Sequence, residues 1–139
     1  EEHGETFRVA DNYAMNLLDL ERFEEARSLL RKVMPVARRV LGDNNDMTLR
    51  MRWLYAMALY KDEGATLDDF REAVTTIEDT ARIARRVLGG VHPVTVDMEE
   101  ALRDARAALE LVLARLSIAF AALGSSRTVA RETPSSGEI

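Results

Sequence analysis

Two stretches of this chain are copies of one another. Thr6-Phe7-Arg8 through Tyr13-Ala14-Met15 and Leu17 recurs as Thr48-Leu49-Arg50 through Tyr55-Ala56-Met57 and Leu59, a shift of 42 residues (Thr6 to Thr48). Phe23-Glu24-Glu25-Ala26 recurs as Phe70-Arg71-Glu72-Ala73, a shift of 47 (Phe23 to Phe70). Ala37-Arg38-Arg39-Val40-Leu41-Gly42 returns unchanged at Ala84 to Gly89 with that same shift. Self-similarity on this scale is the signature of repeat architectures, in which neighbours bury faces that one unit cannot bury alone. The change of shift locates a five-residue insertion within Lys61 to Asp69. A connection absorbs such an insertion and a packed helix does not. Each copy is therefore a helix A, a turn and a helix B.

The apolar positions have helical spacing. Met51, Tyr55, Ala56 and Leu59 line one side of the second helix A, and Phe70, Ala73, Val74, Ile77, Ala81, Ala84, Val87 and Leu88 line the second helix B. Both B helices close with two arginines and a glycine, a cationic last turn followed by a residue free to turn left-handed. Pro35 has no counterpart in the second copy and predicts a kink in the first helix B. A third copy opens at His92-Pro93-Val94-Thr95 and runs as one apolar helix through Met98, Leu102, Ala105, Leu109, Val112, Leu116 and Phe120. It reads as a terminal capping helix. Helices are expected near 6–20, 22–41, 48–62, 67–88 and 93–123, and Ala26 and Ala73 should be buried at the A/B crossings. The segment 124–139 is polar, aperiodic and contains Pro and Ser, so it is expected to be a disordered tail unless bound.

A chain of 139 residues suffices for one such domain, here 1–123. The net charge of −5 disfavours a general nucleic-acid binder, which needs a basic surface. With no cysteine, disulfides and thiolate metal sites are excluded. No His/Glu pair stands at ligand spacing, so neither a metal nor a cofactor is expected. His3 and His92 fall in the connections between helix pairs, where packing is the simpler role. Glu24-Glu25 and Asp68-Asp69 open B helices and complement the helix dipole, which leaves no catalytic carboxylate pair. Gly89-Gly90 lacks the Lys-Ser/Thr of a phosphate loop. No catalytic residue is assigned.

The helix-pair length, the Tyr-Ala and Phe-x-x-Ala packing positions and the linker Leu88-Gly89-Gly90-Val91-His92-Pro93-Val94-Thr95 resemble the tetratricopeptide repeats of kinesin light chains. Leu41 to Thr48 is similar without the His-Pro, and Glu1 to Thr6 resembles the end of such a linker, which implies a further repeat upstream. The resemblance covers about residues 1–109 and implies an all-α helical-repeat array that works as a protein-interaction scaffold and not as an enzyme. It implies a concave, peptide-holding face on the A helices. Position by position that face is Arg8, Asp11, Asn12, Met15 and Leu18, then Arg50, Trp53, Met57 and Tyr60. Asp11-Asn12 and Trp53-Leu54 stand where such light chains carry asparagine pairs, and only Asn12 matches.

Three features single themselves out as contact surfaces. Trp53, Met57 and Tyr60, beside Arg50, form an aromatic and methionine stripe of the kind that dominates interface hot spots, or else pack under the terminal helix. Arg38-Arg39 and Arg85-Arg86 are either helix-ending cations or a basic ridge for an acidic partner. From Ala107 to Leu123 only Glu110, Arg115 and Ser117 are polar, and a helix apolar nearly all round is buried on more than one side. With Leu102 to Phe120 facing helix 67–88, Leu111, Ile118 and Ala122 are left over for a protein partner or a second copy. A membrane-bound accessory role is the alternative, weighed down by a Glu and an Arg inside a short span.

Overall fold

The computed structural model describes residues 2–131, with side chains from His3 to Ser125. The described residues form five helices: α1 (Glu2–Asp19), α2 (Phe23–Leu41), α3 (Asp46–Tyr60), α4 (Leu67–Leu88) and α5 (Pro93–Arg131). The protein is an all-α helical-repeat array, with α1/α2 and α3/α4 as helix pairs and α5 as a third helix A. Each helix packs on the next in sequence, and the A helices also touch one another, α1 on α3 and α3 on α5. Among the described residues the two B helices, α2 and α4, make no such contact. The A helices thus form an inner layer and the B helices an outer one.

Local chemistry sets the boundaries. Asn45 accepts the Met47 N–H at 2.9 Å to start α3, and Thr66 and Asp69 exchange side-chain-to-backbone bonds in a capping box that starts α4. His92 Nδ1 accepts the Val94 N–H at 3.2 Å, and Pro93 supplies the first turn of α5, where its missing N–H is not needed. This is the packing role expected of the linker histidine. Gly42 and Gly89 end the B helices at φ 87° and 92°, a region costly for any side chain. The insertion forms the α3–α4 connection, which Arg27 ties back to α2 by bonding Asp62 Oδ2 at 3.0 Å and the Ala58 carbonyl at 2.8 Å. The Gly64 N–H and then Arg27 hold the Asp62 carboxyl below its usual range.

The crossings are built on small residues. Ala26, Ala37 and Ala73 of the B helices and Ala14, Ala56 and Ala58 of the A helices are fully buried in one cluster with Leu17, Leu30, Leu59 and Ile77, and Ala84 is fully buried in a second with Leu49 and Met98. Tyr55 bridges the outer layer: its hydroxyl accepts from Arg31 Nε of α2 at 3.3 Å and donates to Glu72 of α4 at 3.1 Å. Val87 and its counterpart Val40 lie outward, both 43% exposed, so the predicted α4 face is one position too wide. Helix α2 runs through Pro35 without a break.

The largest departure is at the C-terminus. Helix α5 continues past residue 123 and through Gly124 to Arg131, so the expected tail is helical as far as it is described; residues 132–139 lie outside the described residues. At 1.5 Å per residue α4 is about 33 Å long and α5 about 58 Å. Folding back from the Gly89–His92 turn, α5 therefore outruns α4. Met98, Ala101 and Ala105 are buried and Leu102, Leu109 and Val112 half-buried, but Leu116 and Phe120, predicted to pack on α4, are 50% and 79% exposed.

The alanine crossings give a direct test. Ala73→Leu should overpack the α3/α4 contact and lower stability by about 1–3 kcal/mol, read as a fall in the denaturation midpoint. An unchanged midpoint would show that Ala73 is not at the crossing.

Candidate protein-binding surfaces

The inner face is anchored by one ion pair. Asp11 of α1, 2% exposed, meets Arg50 of α3 at 2.9 Å between Oδ2 and Nη2. Burial pushes the Asp11 carboxyl above the usual carboxylate range, while the charge and hydrogen bond of Arg50 pull it back down. Asp11 Oδ1 and Arg50 Nε are buried without a partner, so a single contact carries the pair. Asp11 was expected among the partner-facing residues. It is instead consumed in joining two A helices, while Leu18, mostly buried, lines the cleft formed with Met15, Met57 and Tyr60. Arg8 and Asn12 remain exposed on α1.

Met15 of α1 and Met57 and Tyr60 of α3 come together around one cleft, whose rim carries Asp19, Glu21 and Lys61. All three are half-buried against the core. Burial, reinforced by the charge of Asp104 on α5, raises the Tyr60 phenol to about 12. Trp53 lies farther along α3 and packs against both halves of the core, including the cluster around Leu49, Ala81, Ala84 and Met98. Its Nε1 is buried without a partner. The ring is thus largely engaged beneath α5, while Met57 and Tyr60 border the open cleft.

The overhang of α5 is the second surface. Leu111, Leu113, Leu116, Ile118, Phe120 and Leu123 are 41–79% exposed and lie on several sides of the helix. Leu111 and Ile118, two of the residues left over in the sequence pattern, are 52% and 72% exposed. Sequence reasoning missed that Leu116, Phe120 and Leu123 share this condition. The relevant signal was the length of α4, already bounded by Gly89. Scattered exposed leucines need no explanation, but six large apolar side chains on one projecting helix do.

Two of the four arginines of the basic ridge, Arg38 and Arg85, are neutralised from within. Arg38 Nε bonds Asp43 at 2.6 Å, Arg85 bonds Glu99 through two nitrogens at 2.7 and 3.2 Å, and Arg86 reaches Asn44 at 3.4 Å. Among the described residues no group of three or more His, Cys, Asp or Glu side chains could hold a metal ion.

With this geometry in hand, comparison with known proteins gives one match. The tetratricopeptide repeat family matches residues 5–64, the span of α1 to α3. The match supports a tetratricopeptide-repeat protein, a fold that generally mediates binding to other proteins and is not itself catalytic. No curated protein and no solved structure matches the chain.

The Asp11–Arg50 pair yields a signed prediction. Arg50→Ala should cost about 3 kcal/mol at neutral pH, because it strands a buried carboxylate. The folded-state pKa of Asp11 is already raised, so the folded protein takes up this proton before the unfolded chain does as pH falls. The deficit should therefore shrink toward acid pH, and Asp11→Asn in the Arg50→Ala background should recover much of it. A pH-independent loss of stability would contradict the assignment.

Proposed function

We propose that this protein is a non-enzymatic scaffold or assembly subunit that docks onto another protein through the overhanging half of α5. The observation that carries the reading is the projection of α5 beyond α4, with Leu111, Leu116, Ile118 and Phe120 at least half exposed. Burying such side chains is worth about 1.5–3 kcal/mol each relative to full exposure, so covering the overhang provides a strong drive to associate. The Met15/Met57/Tyr60 cleft, with Arg8, Asn12, Arg50 and Trp53 on the same A helices, is the second contact surface in this reading, suited to an extended peptide. A kinesin-light-chain type of repeat is part of the proposal. Its support is the His92-Pro93 linker, whose imidazole caps α5.

A membrane-associated accessory subunit is the second reading. The stretch 93–125 of α5 is long and apolar enough to cross a membrane by length and composition, and its most apolar part is not buried. Against it, Arg115 falls at the middle of 107–123, where a charge costs about 2.5–3.5 kcal/mol on insertion scales.

In the absence of a partner, the bare overhang should make the purified chain self-associate. Ile118→Lys with Phe120→Lys should yield a monomer in sedimentation velocity with unchanged helical circular dichroism, since both side chains are largely in water. A wild-type chain that stays monomeric at every concentration would contradict docking through α5. Flotation of the wild type with phosphatidylcholine vesicles would favour the membrane reading instead.

A further inference from the structure

The two copies of the repeat differ at one pair of positions in a way that leaves a charge unanswered. In the second copy Arg85 of α4 and Glu99 of α5 form a two-pronged ion pair. Shifting back by the repeat offset of 47, from Thr95 to Thr48, turns Arg85 into Arg38 and Glu99 into Arg52. The contact that joins helix B to the next helix A is a guanidinium–carboxylate pair in one copy and two guanidiniums in the other.

The loops differ to match. Gly90 leaves room for Arg85, since a Cβ there would come within 2.9 Å of its guanidinium. The corresponding residue in the first copy is Asp43, which takes Arg38 Nε. Arg52 gains nothing from this. It is half-buried, and among the described residues it has no ion pair or hydrogen bond. Desolvation first, and then the charge of Arg38, lower its pKa, with Asp79 and Asp43 opposing.

Arg52 opens into a cleft of about 360 Å³ between the B helices, lined also by Arg31, Pro35, Arg38, Tyr55 and Thr76. None of the lining residues is acidic. The gap lies where the backbones of α2 and α4 stay apart, and the Arg31–Tyr55–Glu72 chain of hydrogen bonds spans it. Arg31 is engaged by Tyr55 and Arg38 by Asp43, so Arg52 is the guanidinium left to bind a planar or tetrahedral oxyanion, with the remaining N–H groups of the other two beside it.

We propose that this outer cleft is an oxyanion-binding site, in which an external carboxylate or phosphate group pairs with Arg52, the charge that the first copy leaves unanswered. The site lies on the B-helix side of the array, apart from the α5 overhang and from the A-helix face, and it stands independently of either.

The test uses the full chain with inorganic phosphate and with hexaglutamate, each read as a rise in thermal midpoint over chloride at matched ionic strength. Wild type should gain from at least one probe. Phosphate acting alone identifies a phosphate group as the ligand, and hexaglutamate acting identifies a peptide carboxylate. Arg52→Gln should weaken that binding by about tenfold or more, the scale of one lost charged hydrogen bond. Arg52→Glu should abolish it and raise the midpoint in chloride, because it replaces an unpaired, half-buried guanidinium with a carboxylate beside Arg38. The α5 double-lysine variant should bind the anion as wild type does. No gain with either probe, or an equal gain in Arg52→Glu, overturns the site.

Discussion

The close approach of helix A to helix B at buried alanines is the contact on which this structure depends. Ala26 and Ala73 sit at equivalent crossings, and each has no exposed surface. A larger residue there would push the helices apart and break the relation of every later element to the first. Because the crossing recurs, so does the placement of each pair on the last. The A helices end up in contact with one another and the B helices apart. Both the inner face and the outer cleft follow from this one geometry.

Within that frame the individual character of the protein comes from charges that differ between copies. Asp11 and Arg50 join two A helices through a pair that is costly to bury and more costly to break. Arg85 and Glu99 pair across the α4/α5 contact, while at the equivalent positions of the α2/α3 contact Arg38 and Arg52 do not. The array also ends unevenly. A repeat buries each helix against its own partner and the following unit, and α5 has no following unit among the described residues. Its extra length carries Leu111, Leu116, Ile118, Phe120 and Leu123 exposed, which underlies the proposed docking.

Much of the fold was legible because repetition removes ambiguity. Identical hexapeptides ending in Gly42 and Gly89 set the ends of α2 and α4, and the change of offset set the α3–α4 connection. What periodicity does not give is the extent of the neighbour. It marks Leu116 and Phe120 as belonging to the face that carries Ala105 and Leu109, yet α4 has already ended where they lie. The polar Ser125-Ser126 stretch looks like a stop, but nothing in it forbids helix, and α5 runs through. Assigning Asp11 to a binding face by position alone could not reveal that Arg50 would claim it. The mismatch between Arg52 and Glu99 was present in the sequence all along, and takes on meaning only once the Arg85–Glu99 bond is seen.

Hydrogen–deuterium exchange along α5, recorded across a dilution series, tests the central claim most directly. In concentrated protein the amides from Leu111 to Leu123 should be protected along with those from Met98 to Ala105. On dilution protection over 111–123 should fall selectively, because only that stretch depends on another molecule to cover it. Protection over 111–123 that does not change with concentration, or that is absent throughout, would contradict the account.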